Sequence, residues 1–153
     1  MNGDFWILKT DSQKADAAAH LATVAVSHDK PCSVKIEPYT EVRRAAQNRL
    51  SHMWYGEASA QGKEYTPQQV KSLAKLNYGV PILLAEDADF AKHWEKLITI
   101  FPTYEEQWQE LMPRLPVTSI MTVKQMWRYL SDYQRVIGGK YKLTDPALLG
   151  LNI

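Results

Sequence analysis

Three acidic side chains, Glu86, Asp87 and Asp89, crowd into one short stretch. Oxygen ligands at that spacing suit Mg²⁺, and a bound Mg²⁺ can support phosphodiester cleavage. The same residues have a plainer use. Acidic groups favour the first turn of a helix, and a helix is expected to begin here with Asp87 or Asp89 as its cap. Capping is the favoured reading, and a metal-dependent nuclease, or a nuclease accessory, is the alternative. Other chemistry finds less support. The soft ligands are Cys32 and the histidines at 20, 28, 52 and 93, and no pair has the close spacing of a zinc site. Cys32 has no nucleophile elbow or adjacent base in sequence. The one Gly pair, Gly138-Gly139, follows an expected helix and does not precede one, so no phosphate loop is read. The expectation is a binding protein without catalytic residues, resident metal or cofactor.

Cationic side chains offer more. Over residues 43–60, at about 100° per residue, Arg44, Gln47, Asn48, Ser51 and Tyr55 fall on one helical side, opposite Leu50 and Met53. Arg43 and Arg49 add charge beside them. Such groups can grip phosphate oxygens and stack on a base. Lys124, Arg128 and Arg135 align on a second stripe, and Lys71 and Lys75 on a third. Net charge is only +1, so polyanion binding has to come from uneven distribution. Residues 35–75 hold seven Lys/Arg against four Asp/Glu, residues 86–110 two against seven, and residues 114–142 six against one. An acidic block thus separates two basic ones.

The elements that must carry these groups read as a single α+β domain over residues 1–153: a small N-terminal β-α-β unit, then a mainly helical C-terminal part. "FWILKT" is short and apolar and is predicted to be a strand. The alanine-rich stretch after it is a helix capped by Asp11 or Ser12. "CSVKIEPY" alternates Val34 and Ile36 against Lys35 and Glu37, a half-buried strand ended by Pro38. Helix follows, with Ala46, Leu50, Met53 and Trp54 as its apolar stripe. Thr66, Pro67 and Gln69 open another helix, which Gly79 can end. "VPILLAED" is a third strand or a buried connection. A helix through Phe90, Trp94, Leu97 and Ile98 and a short acidic helix closed by Pro113 come next. Thr122 and Gln125 cap the clearest helix, whose core stripe is Val123, Met126, Trp127, Leu130 and Ile137, and Gly138-Gly139 stops it. A single cysteine excludes an internal disulfide, and no apolar run reaches about 18 residues. A soluble, cytoplasmic chain is expected.

Two stretches resemble a known family. "VKIEPYTEVRRAAQNRLSHMWYGEAS" and "PVTSIMTVKQMWRYLSDYQRVIGGKYKLTDP" are similar, in order, to the NinB-type phage recombination proteins. The resemblance implies an α+β homodimer that binds single-stranded DNA in a phage-infected or lysogenic cell. It implies a mediator that helps a recombinase load on DNA coated by host single-strand-binding protein. Arg43, Arg44, Gln47 and Asn48 match the family's motif; the DNA role of the other cations is read from their alignment. Five Trp and eight Tyr support a dimer interface that includes C-terminal aromatics. A third reading is an adaptor that binds a host protein through the acidic block.

Overall fold

The computed structural model describes residues 6, 8, 10–36 and 43–153, with Arg43 as backbone only. The chain divides into two compact units, Met1–Glu41 and Val42–Ile153. In the first, α1 (Asp11–Thr23) is capped by Thr10. Its hydroxyl accepts from the Gln13 N–H at 3.2 Å, and the Gln13 side chain returns the bond. The cap therefore precedes the expected Asp11 or Ser12. No side chain of α1 is buried.

The expected β-α-β unit is not there, and the α+β class is corrected: the described residues are helical and contain no strand. Val34 and Ile36 alternate as a strand should, yet they are 60% and 88% exposed. Alternation makes a stable strand only when a neighbour satisfies the backbone and a core covers the apolar face. Among the described residues no strand lies beside residues 32–36, and their apolar side chains are exposed. Trp6 and Leu8 are likewise outside any strand, Thr10 caps α1, and the remaining residues of both expected strands, including Pro38, lie outside the described residues.

The second unit is a helical assembly. Its first helix, α2 (Arg43–Gly62), is followed by α3 (Pro67–Ala74). Thr66, Pro67 and Gln69 open α3 as a full capping box. Gly79 does not end it. Helix continues through a π-helical segment, π1 (Lys75–Gly79), into α4 (Val80–Glu86). "VPILLAED" is thus mainly helix, not strand. A proline inside a helix lacks a donor, and its ring crowds the carbonyl four residues back. For Pro81 that carbonyl belongs to Asn77, inside π1, where the wider turn relieves the clash. Gly79 serves close approach instead: a Cβ there would sit 2.6 Å from Val117 Cγ1.

Next come α5 (Ala88–Ile100) and the single turn α6 (Tyr104–Glu106), which runs into a second π-helical segment, π2 (Gln107–Leu111). A short 3₁₀ turn over Thr118–Ile120 leads to α7 (Val123–Ile137), and another spans Pro146–Leu149. Thr122 and Gln125 cap α7 as expected. Its buried stripe is Met126, Tyr129, Leu130 and Tyr133, whereas Trp127 is 45% exposed.

The α2–α7 contact forms the centre of the core. Trp54 stacks on Tyr133 with ring centroids 5.8 Å apart, and the Tyr55 and Tyr129 hydroxyls meet at 2.6 Å. The C-terminal tail, which lacks periodicity, is held by α2 side chains. The Trp54 indole N–H donates to the Thr144 carbonyl at 2.8 Å, Glu57 accepts from the Thr144 N–H at 2.8 Å, and Gln61 bonds the Lys142 backbone in both directions. No helix among the described residues is long and apolar enough to cross a membrane.

Candidate anion-binding cleft

Alpha-helical spacing places Lys71 and Lys75 one turn apart, and the fold puts both on a cleft of about 430 Å³. One wall comes from α3 and the start of π1: Gln68, Gln69, Lys71, Ser72 and Lys75. The other comes from π2 and the residues after it: Trp108, Gln109, Met112 and Pro113. Single-turn π insertions are rare and concentrate at functional sites. Here the two face each other across one cleft. Lys75 ties them together, because its ammonium donates to the carbonyl of Met112, the residue that closes π2. The Met112 N–H in turn bonds the Gln107 carbonyl at 2.8 Å.

Electrostatics single out Lys75. Its side chain is only 6% exposed. Removal from water disfavours the ammonium, and the charge of Lys71 disfavours it further, so its pKa falls from 10.5 to about 8. A cleft with two cationic groups, three amide side chains and a hydroxyl is suited to an anion such as a phosphate.

The other expected site residues are mostly placed elsewhere. The buried arc of α2 runs through Gln47, Leu50, Ser51, Trp54, Tyr55 and Ala58, an i, i+3, i+4, i+7 pattern. The polar stripe read as a DNA-facing side is therefore largely the packed side. Gln47 is 3% exposed and its amide donates to the Val123 carbonyl at 3.2 Å. Tyr55 is buried against Tyr129, and Ser51 is turned onto the Asn48 carbonyl at 2.7 Å. Arg44 reaches the Met121 carbonyl at 2.7 Å. Met53, expected in the core, is exposed. Asn48 and Arg49 are exposed, and the side chain of Arg43 lies outside the described residues.

The stripe on α7 is divided too. Arg128 pairs with Glu86, and Arg135 pairs with Asp132 at 3.3 Å on its own helix. Lys124 is exposed. The acidic trio is separated by role. Glu86 accepts from Gln125 at 3.0 Å and pairs with Arg128; the Gln125 bond, with Arg128 and Lys124 nearby, holds its carboxyl below the usual range. Asp87 caps α5 by accepting from the Phe90 N–H at 3.0 Å. Asp89 lies in that helix's first turn. No metal-binding group of three such residues forms among the described residues.

A variant follows from Arg44. Sequence alone makes it a surface cation whose charge reversal costs under about 0.5 kcal/mol. Its bond to the Met121 carbonyl joins α2 to the segment before α7, so Arg44→Glu is expected to cost about 1–2 kcal/mol. Urea denaturation measures this; an unchanged midpoint with an unchanged slope would leave the bond without energetic weight.

Pairing of Lys71 with Lys75 was legible in the sequence. The opposite wall was not, because Trp108 and Gln109 read there as parts of an acidic helix. No protein-family model, curated protein or solved structure matches the chain.

Proposed function

We propose that this chain binds single-stranded DNA, with the phosphate backbone seated in the Lys71–Lys75 cleft. One observation carries the reading: two lysines on one helical face share a concave site with the Gln68, Gln69 and Gln109 amides. Amides and ammonium groups together hold phosphate oxygens without reading base edges. The role as a recombination mediator, working beside single-strand-binding protein and a recombinase, is supported by the two family-like stretches alone. The same stretches support a homodimer, and Tyr104 and Trp127 are exposed C-terminal aromatics open to a second copy. Two cationic clefts on one strand would raise avidity.

Fluorescence anisotropy with a labelled single-stranded oligonucleotide tests the reading. Each phosphate neutralised on a single strand contributes about −0.7 to the slope of log affinity against log salt. Two lysines predict a slope of about −1.4, and Lys71→Glu should lower affinity at least about tenfold, equivalent to 1.4 kcal/mol. A flat slope would exclude the cleft as the phosphate site. Strand cleavage on adding Mg²⁺ would favour the nuclease alternative, and a sedimentation mass that stays at one chain with DNA present would reject the dimer.

A further inference from the structure

We infer that Lys75 captures a carbonyl: its amine forms an imine with an aldehyde that carries a phosphate, while Lys71 and the cleft amides hold the phosphate. This goes beyond strand binding and does not depend on it.

The geometry has three parts. Lys75 is deeply placed yet lines the cleft, and among the described residues the Met112 carbonyl accepts from its ammonium. An ammonium has three donors, so one bond does not hold the group in a single ionised state. Lys71 lies one turn away on the same face and is more exposed than Lys75. That leaves it free to bind an anion at the mouth while Lys75 remains inside. The cleft, at about 430 Å³, falls within the range of small-molecule sites, roughly 300–1,000 Å³. Proton affinity agrees: with a pKa of about 8, set by burial and then by Lys71, about a tenth of the molecules carry a neutral amine at pH 7. A nearby second cation and an apolar setting are the usual means of activating a lysine nucleophile.

The neutral Nζ lone pair adds to the carbonyl carbon, and the C=O π pair moves to oxygen, which takes up a proton. That proton comes from the nitrogen, giving a neutral carbinolamine; a second proton, from solvent, lets the hydroxyl leave as water while the nitrogen lone pair forms the C=N bond. No oxidant or reductant is consumed. A protonated imine keeps one N–H, which the Met112 carbonyl can still accept, so the product retains the bond that holds Lys75 now.

The chemistry fits two sources: a free phosphorylated aldehyde, or the ring-opened sugar of an abasic site in single-stranded DNA. The experiment treats the whole chain with pyridoxal 5′-phosphate or, separately, with an oligonucleotide bearing one abasic site. Borohydride reduces any imine to a stable amine, and peptide mass mapping locates it. Expected with pyridoxal phosphate is labelling of Lys75 at least tenfold above Lys92, Lys96 and Lys124. Pyridoxal without phosphate should label it at least tenfold less, and Lys71→Gln should lower the yield. A cross-link to abasic DNA through Lys75 would assign the DNA source; labelling by the small aldehyde alone would assign the free one. Mapping on the unaltered chain needs no folded variant, and Lys75→Arg with an unchanged circular dichroism spectrum gives the control. Labels spread evenly over exposed lysines, or a yield that Lys75→Arg leaves unchanged, would overturn the inference. A flat salt response to intact DNA beside selective Lys75 labelling would remove the strand-binding reading and leave this one in place.

Discussion

Trp54→Ala is expected to destabilise the Val42–Ile153 unit by about 3–5 kcal/mol, the usual range for deleting a buried large ring. Trp54 is fully buried, stacks on Tyr133, and fills the space where α2 crosses α7. Its loss leaves a cavity that rigid helices cannot fully close, and it removes the donor from the Thr144 carbonyl. Trp127→Ala is the internal comparison. That ring is exposed and bonded through its N–H to the Asn152 carbonyl at 3.0 Å, so its removal should cost about 1 kcal/mol or less. Urea denaturation of both variants gives the difference. Equal losses would mean that the α2–α7 contact is not the centre of the core.

The second large effect is a pH dependence with an unusual sign. In the unfolded chain Lys75 titrates near 10.5, and in the folded chain near 8. Between these values the unfolded state holds more protons, so stability rises as pH rises. Each decade of displacement is worth about 1.4 kcal/mol, which puts the full relief on the order of 3 kcal/mol. Buried tyrosines then act the other way. Burial pushes Tyr55 up to about 12 and raises Tyr129 and Tyr133 as well, each from an ordinary value of 10.0. Above pH 10 the folded state keeps protons that the unfolded state loses, and stability falls. A maximum near pH 10 is expected. Lys75→Met should flatten the rise between pH 8 and 10 and be the more stable form at pH 7. A wild-type stability that declines steadily from pH 8 would show that Lys75 is solvated in the folded protein.

Sequence reading succeeded where the signal is local. Thr66 with Gln69 and Thr122 with Gln125 are reciprocal caps spanning three residues, and nothing distant is needed to form them. It failed where partners are remote. Val34 and Ile36 carry the alternation of a strand, but no neighbouring strand accompanies them among the described residues. Gln47 and Tyr55 look like surface groups until Val123 and Tyr129, more than seventy positions later, supply their hydrogen-bond partners. In α2 residue type and spacing point opposite ways: Gln47, Ser51 and Tyr55 are polar, yet their spacing with Leu50, Trp54 and Ala58 is that of a buried arc. The cleft was half legible for the same reason. Its lysines belong to one helix, whereas its far wall depends on a π turn that no local pattern announced.

The clasp between α2 and the tail also constrains how the protein is made. Trp54, Glu57 and Gln61 bond to residues 81 to 90 positions further along. Synthesis is vectorial, so α2 leaves the ribosome long before Lys142 and Thr144 exist. Before α7 is made Trp54 lacks Tyr133 beneath it, and until Thr144 follows it lacks a carbonyl for its indole, so the nascent chain presents an apolar helix face. Contacts this distant in sequence also close slowly, because the loop entropy is lost before they form. A chain ending before residue 142 would therefore leave Trp54, Glu57 and Gln61 without their tail partners and remain a client of holding chaperones.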